Sequence, residues 1–264
     1  MALNESALKF LELAEYLYRN DWVHFRLQDG GWTDELEDEE KVFGIFIRTM
    51  ICNDSESKKF YDAIGGFRDV ISKLDRGDDV EAWLTDELKD VSMGSGKGSH
   101  RDNRHKRWTP RGIKEYIVLV GSSQIDFLSH INGYNELFNI IDSVYSCGPL
   151  TAFDLAKRLY ESGVVQHQPD GFYLTGTGEI NGIKALFPGT NSDEELIEIG
   201  KILVSRMLDA DIPEKVAHYG LEDLLCIYQK DNRYVEFLEG NISVEDYASI
   251  MMGKNCIRER GIGC

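Results

Sequence analysis

Apolar residues recur along most of the chain at the three- and four-residue spacing of an amphipathic α-helix. Within residues 3–28, Leu8, Leu11 and Ala14 follow this period, so one or two helices are predicted there. Only residues 172–175 resemble a strand, and extended backbone explains them equally. The pattern therefore predicts an all-α fold.

Polar stretches and glycines separate the predicted helices. The apolar segment 41–52 fits either a buried helix or a strand, and short helices broken at Gly65, Gly66 and Gly77 are expected over 55–90. Further helices are predicted over 111–120, 122–132, 134–145, 149–162, 180–187, 191–209, 212–218, 220–228, 230–239 and 243–252. Helices are therefore expected to dominate the chain.

The composition is that of a soluble globular protein, with 42% hydrophobic and 28% charged residues. No apolar run approaches the roughly 18 residues that cross a bilayer, so no membrane partner is expected. The N-terminus lacks a basic start and a small-residue cleavage site, which favours a helix over a signal peptide. The five scattered cysteines are therefore expected to be reduced thiols in the cytoplasm.

The cysteines and histidines do not have the spacing of metal ligands. The sequence contains no CxxC or HxxxH pair, so neither a metal site nor a cofactor is predicted. His24, His130 and His218 are interpreted as packing or surface residues.

One basic segment contrasts with the acidic balance of the chain. The net charge of −17 argues against a uniformly basic nucleic-acid binder. Residues 94–112, however, carry six basic residues and the single acid Asp102. A mobile loop that contacts DNA phosphates is one interpretation, and a solvated disordered loop is another. The candidate DNA-binding residues of this segment are Lys97, Arg101, Arg104, Lys106, Arg107, Trp108 and Arg111.

Two apolar helical runs meet at a tight Ser146-Cys147-Gly148-Pro149 turn. Such a turn at a helix N-terminus can present backbone N–H groups to a phosphate, assisted by the helix dipole. A plain turn between two helices fits the same residues. On the DNA-binding interpretation, the candidate contacts are Cys147, Gly148 and Thr151.

About twenty residues later the sequence brings a carboxylate and a glycine-rich loop. Asp170 could act as a general base or stabilise positive charge beside a flipped nucleotide, although its Gln-Pro-Asp-Gly context is also a strong turn sequence. The Thr-Gly-Thr-Gly loop at 175–178 would expose amides to an anion, with Glu179 as a second carboxylate. A flexible connector explains this loop equally well.

The segment 224–234 combines an apolar half with a polar tip. Lys230 and Arg233 could contact phosphate and Tyr228 could stack on a base, while a plain amphipathic helix fits as well. The candidate catalytic residues are then Asp170, Glu179 and Lys230. The candidate substrate-binding residues are Thr175, Gly176, Thr177, Gly178, Asn181, Lys184, Tyr228 and Arg233.

Three short blocks, in this order, resemble a phage-associated group of DNA-modifying proteins. The blocks are 147–155, 169–187 and 220–234. The group comprises the α-glutamyl/putrescinyl-thymine pyrophosphorylases, also called amino acid:DNA transferases, and the 5-hydroxymethyluracil DNA kinases. Thr177 stands where the group has a proline, and Asn181 stands where it has a basic residue.

The resemblance implies a helix-hairpin-helix DNA-glycosylase-like fold. The four-cysteine iron–sulfur pattern of some glycosylases is absent from the sequence, so no cluster is expected. A single domain over 1–264 is predicted, with an N-terminal helical part over about 1–93, a basic loop over 94–112 and a helix-hairpin-helix core over 113–240. For a phage-encoded protein, the cytoplasm is that of the host cell.

The resemblance also implies chemistry at the thymine 5-methyl carbon. The expected enzyme replaces the pyrophosphate of a 5-pyrophosphorylated hydroxymethyluracil in DNA with an amine or amino acid. Its partners would be double-stranded DNA with a flipped modified base and a small amine or amino-acid donor. Asp170 or Glu179 would deprotonate or hold the attacking ammonium, while the 175–178 amides with Lys184 or Lys230 would stabilise the departing anion.

Three alternatives remain open from the sequence. The first is a DNA glycosylase that excises a modified base. The second is a 5-hydroxymethyluracil DNA kinase, although the sequence has no nucleoside-triphosphate motif. The third is a DNA-binding module without catalytic activity.

Overall fold

The computed structural model describes residues 3–22, 31–51, 53–93 and 98–259, with side chains except at 98–105 and 254–259. Within these ranges every regular element is helical, so the predicted all-α class is confirmed. The helices are α1 (Glu5–Arg19), a 3₁₀ helix (Gly31–Glu35), α2 (Asp38–Met50), α3 (Asp54–Ile64), α4 (Gly66–Asp75), α5 (Val80–Glu87), α6 (Gly98–Val120), α7 (Gln124–Ser129), α8 (Tyr134–Ser143), α9 (Gly148–Glu161), α10 (Thr177–Leu186), α11 (Asp193–Asp209), α12 (Glu214–Tyr228), α13 (Tyr234–Leu238) and α14 (Val244–Glu259).

The chain divides into two compact units, whose bounds differ from the predicted segments. Unit 1 comprises Met1–Leu27 with Pro169–Cys264, and unit 2 comprises Gln28–Gln168. Helix α1 packs against α10, α11, α13 and α14, so the N-terminal helix belongs with the end of the chain. The amphipathic pattern of α1 predicts a buried face but does not specify which distant helices cover it. The single glycosylase-like domain stays a prediction.

The core of unit 1 surrounds α12. Phe10 and Leu13 of α1 are fully buried there, together with Leu221, Leu224 and Leu225 of α12. The residue before α1 anchors this helix in the unit. The Asn4 side chain caps α1 by accepting the Ala7 N–H, and it donates to the Leu186 carbonyl oxygen at 2.7 Å. Unit 1 is therefore closed by contacts between residues more than 180 positions apart.

Helix α2 lies in the core of unit 2. It covers most of residues 41–52, which by sequence fit either a buried helix or a strand. Phe43 and Phe46 are fully buried, and the ring of Phe46 stacks on Tyr116 with centroids 3.9 Å apart. The acidic first turn of α2 binds neighbouring helix starts, since Glu39 accepts from the Gln124 N–H at 2.6 Å and Glu40 from the Phe67 N–H at 2.7 Å. A buried helix, and not a strand, therefore occupies this segment.

Three predicted elements differ from the structure. The segment predicted as a basic loop is helical from Gly98 onward, because lysine and arginine are good helix formers, while 94–97 lie outside the described residues. Helix α12 is continuous through Gly220, where two helices were predicted, because burial of the flanking Tyr219 and Leu221 outweighs the weak helix propensity of glycine. Residues 172–175 form no strand.

Most of the remaining predicted helices agree with the structure to within about four residues at each end, but α14 continues to Glu259, seven residues beyond the predicted end at 252. The helices α3, α4 and α5 are separated at Gly65 and near Gly77, both with positive φ. In the part of the chain that the structure describes, no helix combines the length and apolarity needed to cross a membrane.

We expect Gly182→Ala to destabilise unit 1. A β-carbon at Gly182 would overlap the carbonyl oxygen of Leu225, and two helix backbones cannot separate without losing the packing around them. Overpacking of this kind costs about 1–3 kcal/mol of unfolding free energy. Urea unfolding followed by circular dichroism measures the loss.

Gly133→Ala is the control for this substitution. Gly133 has extended backbone, and a β-carbon there would have no neighbour within 4 Å. Equal unfolding free energies for the two variants would contradict the inferred contact between α10 and α12.

Candidate functional site

Helix α12 and the turn after it carry chemically active side chains at every fourth position. This stripe consists of Glu214, His218, Glu222, Cys226 and Lys230, and Lys230 lies two residues beyond the end of the helix. Side chains four residues apart on a helix are neighbours. Each member of the stripe on α12 therefore lies beside the next, in the order acid, imidazole, acid and thiol.

The segment 170–182 runs along this stripe in the same direction. It contacts His218 near its start, Glu222 in its middle and Cys226 near its end. The Phe172 ring holds the segment in place, because it lies over Gly200 of α11 where a β-carbon would overlap it. These contacts hold the segment 170–182 beside α12.

Asp170 and His218 form the first part of the site. Asp170 is exposed and accepts a hydrogen bond from the Tyr173 hydroxyl at 2.5 Å. The Nδ1 atom of His218 lies 3.1 Å from the Gly171 carbonyl oxygen. Because a carbonyl oxygen can only accept, Nδ1 carries the proton, and the neutral ring keeps its lone pair on Nε2.

The environment of His218 favours the neutral ring. Burial lowers the pKa of His218, and this effect is opposed by the hydrogen bond to Gly171 and by the charges of Glu214 and Asp170. An imidazole of this kind can accept a proton near neutral pH.

Glu179 and Glu222 meet at the Thr175 hydroxyl in the middle of the site. Thr175 Oγ1 lies 3.0 Å from Glu179 Oε1 and 3.2 Å from Glu222 Oε1. All three side chains are buried. Since the hydroxyl has one proton, it donates to one carboxylate at a time.

Glu179 also caps the N-terminus of α10. Its Oε1 atom accepts the backbone N–H groups of Thr175 and Gly176, and its side chain is only 1% exposed. These are two of the amides that the sequence analysis assigned to an anion. The structure therefore gives Glu179 a capping task and leaves those amides already bonded within the chain.

Cys226 and Lys230 form the last part of the site. Lys230 is exposed, and its Nζ lies 3.0 Å from the Cys226 Sγ. The sulfur also packs against Gly178 in the first turn of α10, where a β-carbon would overlap it. Thr177, Asn181 and Lys184 are exposed on α10, and Thr177 and Gly178 belong to this helix instead of the predicted loop.

Of two predicted substrate contacts on this segment, the structure contradicts that of Tyr228, while that of Arg233 stays a prediction. Tyr228 is fully buried and its hydroxyl donates to the Gly182 carbonyl oxygen at 2.7 Å, so its ring cannot stack on a base. Burial also raises the pKa of Tyr228. Arg233 binds Asp231 with Nε and Nη2 at 2.9 and 3.0 Å, which commits much of its guanidinium to its own turn.

Unit 2 contains the predicted pair of helices with a tight turn between them. Helix α8 ends at Ser143 and α9 begins at Gly148, whose φ of +62° is in the region that favours glycine. Helix α6 holds the turn, since Glu115 accepts the Tyr145 N–H at 3.1 Å and Gly112 faces the Tyr145 carbonyl oxygen. The helical hairpin is present, while the glycosylase-like fold stays a prediction.

Cys147 is not available for the predicted contact with DNA. Its side chain is 4% exposed, and its Sγ lies 3.9 Å from the Met50 sulfur. Burial raises the pKa of the Cys147 thiol to about 12. Its backbone N–H donates to the Val144 carbonyl oxygen at 3.0 Å, so the start of α9 at Gly148 and the partly exposed Thr151 remain as candidates.

The predicted basic contacts lie on α6. Arg107 and Trp108 are exposed. Lys106 donates to the Lys89 carbonyl oxygen at 2.8 Å, and Arg111 pairs with Glu115 at 2.9 Å. Lys97 lies outside the described residues, as do the side chains of Arg101 and Arg104.

Sequence analysis missed His218 and Glu222. The signal was present, because Glu214, His218, Glu222, Cys226 and Lys230 are spaced by four in the sequence. The two predicted helices obscured it, since a break at Gly220 would place His218 and Glu222 on different helices. Within the described ranges, no three histidine, cysteine or acidic side chains are grouped as metal ligands would be.

One family model matches most of the chain. The model is described as alpha-glutamyl/putrescinyl thymine pyrophosphorylase clade 3, and it matches residues 56–239. The matched stretch includes the hairpin, the segment 170–182 and the whole of α12. No curated protein and no solved structure gives a significant match.

We expect Glu179→Ala to lower the stability of unit 1. Removal of the carboxylate leaves the buried Thr175 N–H and the Gly176 N–H without their acceptor. An unsatisfied buried donor costs roughly 1–3 kcal/mol of unfolding free energy. Urea unfolding measures the loss. The control is Glu198→Ala, which removes an exposed acid on α11 that caps no helix, so the difference between the two variants gives the effect of the cap. If both variants unfold at the same urea concentration, the cap contributes nothing.

Proposed function

Because the chain belongs to the alpha-glutamyl/putrescinyl thymine pyrophosphorylase family, clade 3, we propose that it is a DNA base-modifying transferase. The family implies an enzyme of thymine hypermodification with DNA as its substrate. The proposed reaction replaces the pyrophosphate of a 5-pyrophosphorylated hydroxymethyluracil with an amine or amino acid. The proposed partners are double-stranded DNA with a flipped modified base and a small amine or amino-acid donor.

The observation that carries this proposal is that His218 contacts the carbonyl oxygen of Gly171, the residue that follows Asp170. An amine attacks carbon only after its ammonium has lost a proton, so the enzyme needs a proton acceptor beside the donor. The exposed Asp170 carboxylate can hold the ammonium, and the neutral His218 ring, with its lone pair on Nε2, can receive the proton. The base role therefore falls to these two residues, since Glu179 is committed to its cap.

The opposite end of the stripe suits the leaving group. Pyrophosphate departs as an anion, and ammonium groups at its oxygens stabilise the developing charge. Lys230 and Lys184 are exposed at this end of the segment. Since the Thr175 and Gly176 amides are bonded to Glu179, we assign the anion to these lysines instead of the glycine-rich backbone.

Unit 2 supplies candidate contacts with the DNA backbone. Arg107 and Trp108 are exposed on α6, and the start of α9 offers a helix N-terminus at Gly148. Phosphate contacts would fix the duplex, while the target base leaves the stack for the transfer.

We expect the wild-type protein to convert the pyrophosphorylated nucleoside in DNA to an amine adduct. Nucleoside mass spectrometry on DNA with thymine, 5-hydroxymethyluracil or its 5-pyrophosphate, with and without putrescine and amino acids, detects the product. Asp170→Asn should lower the rate by about 10²- to 10⁴-fold, the range for loss of a general acid or base. Asp209→Asn on α11 is the control, because Asp209 pairs with Arg206 on the surface.

Other products would replace the proposal. Loss of the modified base with abasic sites would indicate a glycosylase, in which Asp170 acts at the sugar. A phosphate gain on 5-hydroxymethyluracil with ATP would indicate a kinase. If none of the DNA substrates is changed and the protein binds DNA in a salt-dependent manner, the protein is a DNA-binding module without catalytic activity.

We expect Arg107→Ala to weaken DNA binding without changing the chemistry. Loss of one phosphate contact should weaken binding equally for all DNA sequences. It should also reduce the slope of the logarithm of the binding constant against the logarithm of the salt concentration by about one. Fluorescence anisotropy at several salt concentrations gives both quantities. Arg76→Ala removes an exposed arginine that pairs with Asp78 and should leave binding unchanged. Equal effects of the two substitutions would show that only net charge matters.

A further inference from the structure

We propose that Cys226 is a nucleophile that adds to C6 of the pyrimidine ring during the transfer, with Lys230 beside it. This inference rests on the proposed function and assigns a covalent step to the same site. The sequence analysis gave Cys226 no role. Its position on the stripe and the groups around its sulfur carry the proposal.

Positive charge lies beside the Cys226 sulfur, because the Lys230 ammonium is 3.0 Å from Sγ. The sulfur also packs against Gly178 in the first turn of α10. Reactive cysteines lie beside lysines, because a neighbouring ammonium favours a nucleophilic sulfur.

Two carboxylates of the site are already engaged. Glu179 accepts the two amides at the start of α10, and Glu222 accepts from Thr175 one turn before Cys226 on α12. Lys230 contacts the sulfur directly. Cys226 is also partly exposed, so a substrate can reach it.

The second described cysteine has the opposite environment. Cys147 is buried against the Met50 sulfur, and burial raises its pKa to about 12. A buried thiol of this kind is inert. Cys147 is therefore a structural thiol, whereas Cys226 is placed for reaction.

The reaction gives a reason for a nucleophile at C6. Direct departure of pyrophosphate would leave a cation on a carbon conjugated with an electron-poor ring. Addition of the thiolate to C6 first moves the C5=C6 electrons to the carbonyl oxygen O4 and forms an enolate. The enolate then expels the leaving group from the 5-methylene carbon, which avoids the cation.

The steps balance without an oxidant or a cofactor. The Cys226 thiol gives its proton to solvent, and the sulfur bonds to C6. Collapse of the enolate forms an exocyclic C5=CH₂ bond and breaks the methylene C–O bond, so pyrophosphate leaves with the electron pair. The amine, which has already given its ammonium proton to the His218 and Asp170 end of the site, bonds through nitrogen to the methylene carbon, and the substituted ammonium that forms can lose a proton to solvent. The resulting enolate re-forms C5=C6 and expels the sulfur as thiolate.

The test uses the full chain and an oligonucleotide that contains the 5-pyrophosphorylated hydroxymethyluracil, without any amine. We expect release of up to one pyrophosphate per enzyme and a protein–DNA adduct that survives denaturation. Mass spectrometry of the digested adduct should place the nucleotide on the peptide that contains Cys226. Adding putrescine should discharge the adduct and yield the amine nucleoside.

Variants complete the test. Cys226→Ser should abolish the adduct and lower turnover roughly 10³-fold or more, as loss of a nucleophile does. Lys230→Met should lower the adduct yield and the turnover rate by about tenfold each, because it removes one charge-assisted hydrogen bond. Lys201→Met removes an exposed lysine on α11 and is the control for the loss of one positive charge. An unchanged urea midpoint of Cys226→Ala shows that loss of the thiol leaves the protein folded.

The outcomes separate the two proposals. If the wild-type protein yields the amine nucleoside while Cys226→Ser and Cys226→Ala keep their rate and no adduct maps to Cys226, the covalent step is wrong and the transferase stands. If the wild-type protein neither releases pyrophosphate nor forms the amine nucleoside, the proposed function itself fails.

Discussion

Close packing of α10 against α12 is the constraint on which the candidate site depends. Gly178 and Gly182 are one turn apart on α10, and each meets α12 where no β-carbon fits. Their contact holds the segment 170–182 alongside the α12 stripe, so that His218, Glu222 and Cys226 each meet a different part of it. Because both glycines lack side chains, the site is defined by backbone positions, and small changes there would alter every distance in it.

The same packing separates charge along the site. Asp170 and Glu214 act on His218 at one end, while Lys230 lies beside Cys226 at the other. A cationic donor and an anionic leaving group therefore have distinct places in the proposed transfer. Glu179 reinforces this arrangement, because it accepts the Thr175 and Gly176 N–H groups, which would otherwise attract an anion to the middle of the site. Proton transfer and departure of pyrophosphate can thus occur at opposite ends of one helix face.

Much of the helical architecture could be predicted from local pattern. The three-to-four-residue period of α1, the polar cap of α11 at Ser192 and the turn before Gly148 are all determined within a few neighbouring residues. Local pattern failed at residues 98–112, where basic composition was interpreted as a loop although lysine and arginine favour helices. It also failed at Tyr228, because a tyrosine in an amphipathic helix can face either the core or a ligand.

The sequence by itself determined the all-α class, the helical hairpin in unit 2 and the resemblance to the thymine pyrophosphorylases. Only the tertiary structure decided that α1 completes unit 1, that Glu179 is a cap, and that Cys147 is buried while Cys226 lies beside Lys230. The division has a physical reason. Periodicity, capping and turns depend on interactions within about four residues along the chain. The burial and electrostatic environment of a side chain depend on helices far away in sequence, as the hydrogen bond from Lys9 to the Leu238 carbonyl oxygen, 229 positions away, shows.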